Sequence, residues 1–177
     1  MIKIFASLIV LQFLSGCVHL IEPKYTPSRD NIRALQDYKD IKVKALPFEQ
    51  IKNFDISCRG LGDIKPADNL TVAQFITKAF NDEFKLANIY SEDGKNIFAK
   101  ITKIEVSSTE GLFGGFWDIE ILASGQNGIN IRVNHKHEFE TAYLADKACD
   151  RTASALTNAV QGLINATITH PKFRSLL

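Results

Sequence analysis

Trp117-Asp-Ile-Glu-Ile-Leu-Ala-Ser-Gly-Gln-Asn-Gly-Ile-Asn-Ile-Arg-Val133 carries the pattern on which the rest of the chain can be ordered. Trp117, Ile119, Ile121 and Ala123 alternate with Asp118 and Glu120, so the segment reads as a strand with one apolar and one polar face. Asn127-Gly128 is the strongest turn signal in the sequence, because both residues accept positive φ, and it joins that strand to Ile129, Ile131 and Val133 as a hairpin. The second strand continues to Phe139 or beyond.

On the N-terminal side a further strand is marked by Ile97, Ala99 and Ile101, but the next apolar pair is Ile104 and Val106. A slip of one residue reverses the faces, so a bulge is expected near Thr102. Before it, Thr71 and Gln74 form a capping-box pattern ahead of a helix. Its apolar face carries Val72, Ile76, Ala79, Phe80, Phe84 and Ala87, and it should end near Asn88. Ile41 to Phe48 reads as a first strand and Asn53 to about Gly60 as a second extended piece. A closing helix is expected from about Ala145 to Thr169, with Ala145, Cys149, Ala153, Leu156, Val160 and Leu163 on its buried stripe and Pro171 beyond its end. The order is β-β-α-β-β-β-α, an α+β two-layer sandwich with a mostly antiparallel sheet and both helices on one face. Residues 41–177 form the single domain.

The N-terminus follows a different logic. Met1 to Lys3 is a short positive segment, and Ile4 to Leu14 is an apolar run broken only by Ser7 and Gln12. A bilayer-spanning helix needs about 20 apolar residues, a signal-peptide core roughly 7 to 15. The run closes with Leu14-Ser15-Gly16-Cys17, which resembles the lipobox of bacterial lipoproteins. Small side chains at Ser15 and Gly16 suit a peptidase that grips extended backbone, and the Cys17 thiol is the local nucleophile able to accept a diacylglyceryl group. Residues 1–16 then read as a signal and Cys17 as the lipidated N-terminus. The alternative is an ordinary cleaved signal followed by an incidental cysteine. Three acyl chains would hold the domain essentially permanently, since each buried methylene contributes about 0.8 kcal/mol. In a Gram-negative envelope, Val18 rather than Asp after the cysteine favours the outer membrane, with the domain in the periplasm. Residues 17–40, polar and containing Pro23 and Pro27, read as the lipidated N-terminus and a tether.

The formal charge of +1 loses Lys3 with the signal. Positive and negative residues are interleaved, which excludes a nucleic-acid partner of the usual basic kind. Lys39 to Lys44 reads as a solvated strand edge rather than a headgroup site. Cys58 shares a strand face with Phe54 and Ile56, and Cys149 lies on the buried helix stripe, so both thiols point into one core. In an oxidising periplasm they are expected to pair, closing a long loop and stabilising by up to about 4 to 5 kcal/mol in the chain-entropy treatment. Two buried free cysteines are the alternative. No Cys-x-x-Cys exists to suggest redox catalysis.

Cys58-Arg59-Gly60, Phe84-Lys-Leu-Ala-Asn-Ile-Tyr90, Ile101-Thr-Lys-Ile-Glu105, Trp117-Asp-Ile119, Ser124 to Gly128, Ala148-Cys149, Val160 to Ile164 and Pro171-Lys-Phe173 resemble uncharacterised bacterial envelope lipoproteins. More distantly, the layout resembles the auxiliary lipoproteins of envelope transport systems. The resemblance implies a periplasmic domain that works by contact with other envelope components. It brings no catalytic residues, only the anchor cysteine and the Cys58 and Cys149 pair.

Two local features are candidates for function. His135 and His137, two apart on a strand, emerge on one face as two metal ligands would, but a third ligand is missing, since His170 is distant and Glu138 points the other way. No metal or other cofactor is expected. Gly111-Leu-Phe-Gly-Gly-Phe-Trp117 is either an exposed contact loop presenting Leu112, Phe113 and Phe116 to a partner or membrane, or a glycine-hinged turn with its aromatics folded over the core. Trp117 is core in both cases. No Gly-x-Ser-x-Gly elbow or triad pattern is present, so no catalytic residue is assigned and enzymatic activity is not expected. Two functions remain: a membrane-anchored accessory protein with an envelope protein partner, or a module binding a lipid or apolar ligand between helices and sheet. A pocket lined by Phe75, Phe80, Phe84 and Leu156 would mark the second.

Overall fold

The computed structural model describes residues 20–111 and 113–177. The signal over 1–16, Cys17, Val18, His19 and the loop residue Leu112 lie outside the described residues. The elements are α1 (Arg29–Leu35), β1 (Val43–Ala45), β2 (Glu49–Gln50), α2 (Val72–Leu86), β3 (Lys95–Glu110), β4 (Gly114–Gly125), β5 (Asn130–Glu140), α3 (Ala145–Ile168) and α4 (Phe173–Leu176). The sheet runs β1-β3-β4-β5, with β2 also paired to β3. Strands β3, β4 and β5 form an antiparallel meander, while β1 and β2 lie parallel to β3, and α2 makes the crossover that a parallel pair requires.

Alternation fixes which side of the meander is covered. Trp117, Ile119, Ile121 and Ala123 of β4 are fully buried, flanked by Ile97, Ala99 and Ile101 on β3 and by Ile131 and Val133 on β5. Helices α2 and α3 lie over this face. The register shift falls between Ile101 and Lys103, so Thr102 is the bulged residue and Ile104 returns to the covered side opposite Ile119. On α2, the Thr71 hydroxyl accepts from the Gln74 N–H at 3.2 Å and the Gln74 side chain accepts from the Thr71 N–H at 2.8 Å, completing the expected capping box. The helix stops at its Ala87 cap, beyond which Asn88 takes φ 59°. Along α3, Ala148, Ala153 and Ala159 let the helix approach closely, and the Trp117 indole N–H reaches the Thr152 carbonyl at 2.8 Å.

Three expectations need correction. The first strand is only Val43–Ala45, because Pro47 has no N–H to donate to the ladder. The second is Glu49–Gln50, not Asn53 to Gly60: that piece turns through Arg59 at φ 45° and Gly60 at φ 74°, and touches a neighbouring segment through one isolated bridge, Ser57 to Asp63. The expected tether is, from Leu20 on, part of the domain. Pro23 accepts from the Ala67 N–H at 3.0 Å, Lys24 from the Thr157 hydroxyl at 3.0 Å, and Thr26 from the Gln161 side chain at 2.5 Å.

At the centre of this strap sits Glu83 of α2, fully buried. Its Oε1 accepts from the Tyr25 hydroxyl, from the Ser28 N–H at 3.1 Å and from the Asn31 side chain at 3.1 Å. Asn31 also donates to the Gln161 carbonyl at 2.9 Å and accepts from Asn165 at 2.9 Å, so the strap is tied to α2 and α3 together. Burial pushes the Glu83 carboxyl above its ordinary value, against the hydrogen bonds that favour its charged form. Periodicity cannot show such a strap, since a short polar segment held by side-chain hydrogen bonds has no apolar repeat.

Glu83→Ala removes the shared acceptor of two half-buried donors, Tyr25 and Ser28, and of buried Asn31, which keeps the Gln161 carbonyl; a buried donor left unpaired costs about 1–3 kcal/mol and a half-buried one less. Urea unfolding should show a loss of about 1–3 kcal/mol, with faster proteolysis within residues 20–40. Glu83→Gln keeps an acceptor oxygen and should lose markedly less; equal losses would show that the strap does not depend on this oxygen.

Candidate functional site

One pole of the domain gathers the expected loop and the two cysteines. Cys58 and Cys149 form a disulfide with their Cα atoms 5.7 Å apart, tying the Arg59–Gly60 turn to the first turns of α3. Arg59 braces the same end: its Nε donates to the Ser108 hydroxyl at 3.1 Å, and its outer nitrogens donate to the carbonyls of Ser108 and, at 3.0 Å, Tyr143. The tip between β3 and β4 turns through Gly111 at φ 60°. Phe113 follows, with its carbonyl accepting from the Thr141 N–H at 2.6 Å, and the Thr141 carbonyl accepts from Arg151 of α3 at 2.7 Å.

Of the residues expected at the tip of the Gly111–Trp117 loop, Phe113 is exposed, whereas Phe116 is not. Phe113 is 56% exposed. Phe116 is buried on the face of the sheet away from the helices, under the Lys136 ammonium 4.5 Å from its ring centroid, and Trp117 is in the core. Beside Phe113, Tyr143 is 84% and Leu144 61% exposed. These two were not singled out in the sequence, although an apolar pair just ahead of α3 and off its buried stripe was a legible signal.

His135 and His137 share the helix-facing side of β5, their rings 6.5 Å apart and nearly parallel. His135 lies against α3 where Gly162 leaves room: a Cβ there would sit 2.0 Å from the imidazole Nε2. Burial lowers the pKa of both histidines, and for His135 the neighbouring His137 lowers it further. His170 is elsewhere, accepting from the Lys172 N–H, and Glu138 is paired with Lys136 on the other face at 2.9 Å. Among the described residues no group of three His, Cys, Asp or Glu is arranged to hold a metal ion. The pair works as packing that favours neutral imidazole.

Among the described residues no helix lies over the other face of the meander, which carries an ordered polar ladder. Lys103 reaches Asp118 at 2.6 Å and Glu105 at 3.0 Å, Asn134 donates to Asp118 at 2.6 Å, Arg132 pairs with Glu120, and the Thr102 hydroxyl freed by the bulge donates to Glu120 at 2.6 Å. The Asp118 carboxyl is partly buried, which pushes its pKa up, but the Lys103 and Asn134 contacts prevail and hold it below the ordinary carboxylate value. Glu120 is likewise lowered, by the Thr102 hydroxyl first and then by Arg132. Exposed Phe98 and half-buried Leu122 border a cleft of about 310 Å³ at the end of the ladder nearest β2.

Among the described residues, the four side chains that would line an interlayer pocket fill the core, and of them Phe75 also borders a cleft of about 200 Å³ beside Tyr25 and Leu70. Phe75, Phe80, Phe84 and Leu156 are all buried in the core. A groove of about 560 Å³ lies instead along the irregular segment between β2 and α2, lined by Phe54, Ile56, Leu70 and Val72 with Asp63, Lys65 and Asn69.

No protein-family model matches the sequence, and no curated protein matches it significantly. Among solved structures, a Xanthomonas campestris protein of family DUF330 superposes with TM-score 0.55 at 8% identity, over 90% of this chain and 100% of its own. At that identity the likeness is one of fold. A candidate lipoprotein from Caulobacter crescentus aligns with TM-score 0.43 at 7% identity, over 77% of this chain and 88% of its own.

Gly162→Ala should destabilise by about 1–3 kcal/mol through overpacking against His135. His135→Ala in the same background should recover part of that loss; purely additive effects in denaturant titrations would show that the contact is not shared. The histidines also set a pH response. Their folded values lie below the 6.5 of the free side chain, so the stability present above pH 6.5 is lost as pH falls toward the folded values. Glu83 acts in the opposite sense, losing stability as pH rises from 4.5 through its folded value. His135→Gln/His137→Gln should therefore show a smaller fall between pH 7 and pH 5 than the wild type, and an unchanged fall would place the response elsewhere.

Proposed function

We propose that this chain is a bacterial envelope lipoprotein, held on a membrane through Cys17, whose domain acts without catalysis by contact with other envelope proteins. The lipobox-like Leu14-Ser15-Gly16-Cys17 supports the anchor. Val18 supports an outer-membrane position in a Gram-negative envelope, with the domain in the periplasm, and the resemblance to auxiliary lipoproteins makes a transport system the natural setting. The contact reading rests on one observation above all: among the described residues the sheet is covered on one side only, and its free side carries the Asp118 and Glu120 ladder between Phe98 and Phe116. Charges held in register by neighbours are preorganised for a complementary partner, which favours specificity and association rate. The packed core supports the same reading, because a lipid-binding module of this architecture needs space between its layers.

The groove beside Phe54 and Leu70 favours the second reading, a site for a small apolar ligand, at a different place from the one expected. Its volume falls within the usual range for ligand sites, about 300 to 1,000 Å³.

Cys17→Ala should abolish labelled palmitate incorporation and shift the protein to the soluble fraction; persistence on membranes without label would overturn the anchor. A photocrosslinker at Arg132 should capture an envelope protein that is lost when Lys100→Glu reverses a charge on the same face, while a crosslinker at Lys85 on α2 captures none. No product at Arg132, together with a lipid retained in native mass spectrometry and lost in Phe54→Asp, would favour the groove.

A further inference from the structure

The described chain begins at the same pole that exposes its aromatics. The Ile21 N–H donates to Asp150 of α3 at 3.2 Å, and the next residue, Arg151, donates to the Thr141 carbonyl, one hydrogen bond from Phe113. Leu20 and Ile21 also lie beside Leu61 and Gly62, in the turn that the disulfide ties down. Among the described residues eight large apolar side chains are exposed, and four of them, Ile21, Phe113, Tyr143 and Leu144, are at this end. The backbone beneath them is braced by Arg59, the disulfide and Arg151, so they are held out by a rigid base and not left on a loose loop.

Cys17 is three residues from Leu20, and three residues span at most about 11 Å even fully extended. An acyl group on Cys17 therefore keeps this pole within reach of the bilayer surface. We infer that Ile21, Phe113, Tyr143 and Leu144 form a lipid-contact patch that seats the domain upright on the membrane, with the uncovered sheet face standing beside the bilayer normal and accessible from the side. The inference rests on the anchor proposed above. The residue types suit the interface: a tyrosine places its ring among acyl chains and its hydroxyl among headgroups, while Phe and Leu enter the hydrocarbon boundary. The nearby charges are mixed, with Asp146 beside Lys147 at the start of α3, so the patch is suited to a zwitterionic or mildly anionic surface rather than to a strongly anionic one. The contact alone need not be strong, because the anchor supplies a high effective concentration.

The test uses the full chain purified from membranes with its native N-terminus and reconstituted in phosphatidylethanolamine and phosphatidylglycerol vesicles carrying brominated acyl chains. Trp117 is fully buried and gives a constant background, so single reporters Phe113→Trp, Tyr143→Trp and, at the control position, Lys85→Trp can each be read above it. Bromolipid should quench the reporters at 113 and 143 and leave the Lys85→Trp protein and the wild type unchanged. Mass spectrometry of the N-terminal peptide separates the two possible failures. Acylated, vesicle-bound protein with no quenching at 113 or 143 overturns the lipid patch and keeps the anchor; if those reporters are also shielded from aqueous acrylamide, a protein or a second copy covers the pole instead. Cys17 without acyl chains overturns the anchor and the patch with it.

Discussion

The one-sided burial of the meander governs the rest of the molecule. Trp117, Ile119, Ile121 and Ala123 all point beneath the helices, and the alternating period of a strand then compels Asp118, Glu120, Leu122 and Ser124 to the other side. Once one side is dry, the register is fixed, because a slip of a single residue would exchange the two sets. The register shifts twice between β3 and β4, at Thr102 and again between Ser107 and Glu110 near the tip, and the first shift lies within the covered part of the sheet. The bulge at Thr102 keeps Ile97, Ala99, Ile101 and Ile104 all on the covered side, and it frees a hydroxyl for Glu120. A local irregularity of packing thus contributes directly to the polar ladder on the free face.

The two layers are joined by few but specific polar contacts. Trp117 reaches the backbone of α3 through its indole, and Glu83 gathers the N-terminal strap onto α2 and α3 through a single oxygen. These groups are buried, so each bond replaces water at a site where an unpaired partner is costly. Among the described residues the second oxygen of Glu83 has no hydrogen-bond partner, and burial pushes the carboxyl above its ordinary value.

Much of this was legible in the sequence and some was not, for identifiable physical reasons. The hairpin at Asn127-Gly128, the capping box of Thr71 and Gln74, the bulge at Thr102 and the inward-facing Cys58 and Cys149 all rest on local patterns whose period or spacing is set by backbone geometry. Three long-range features leave no such mark. Asn31 and Glu83 are 52 residues apart, and nothing near either announces the other. The segment 53–60 alternates like a strand, but Arg59 and Gly60 turn it away toward Arg59's contacts on Ser108 and Tyr143. Whether Phe80 and Phe84 enclose space or fill it is the third: Phe80 packs tilted against Phe48 and edge to face against Phe84, which a list of aromatics cannot show.

The disulfide divides the chain mechanically. Cys58 and Cys149 are 91 residues apart, and the covalent ring they close contains α2 and the whole of β3, β4 and β5. The N-terminal strap lies outside that ring. Tension applied at residue 20 is carried first by hydrogen bonds such as Ile21 to Asp150 and Ser28 to Glu83. The strap can peel away and lengthen under load, whereas the segment inside the ring cannot be drawn out past the crosslink however far the fold has melted. A force arriving from the N-terminal side therefore meets a compliant section, the strap and then β1 and β2, backed by an inextensible one, and the meander of β3, β4 and β5 with its free face is the last part to feel it.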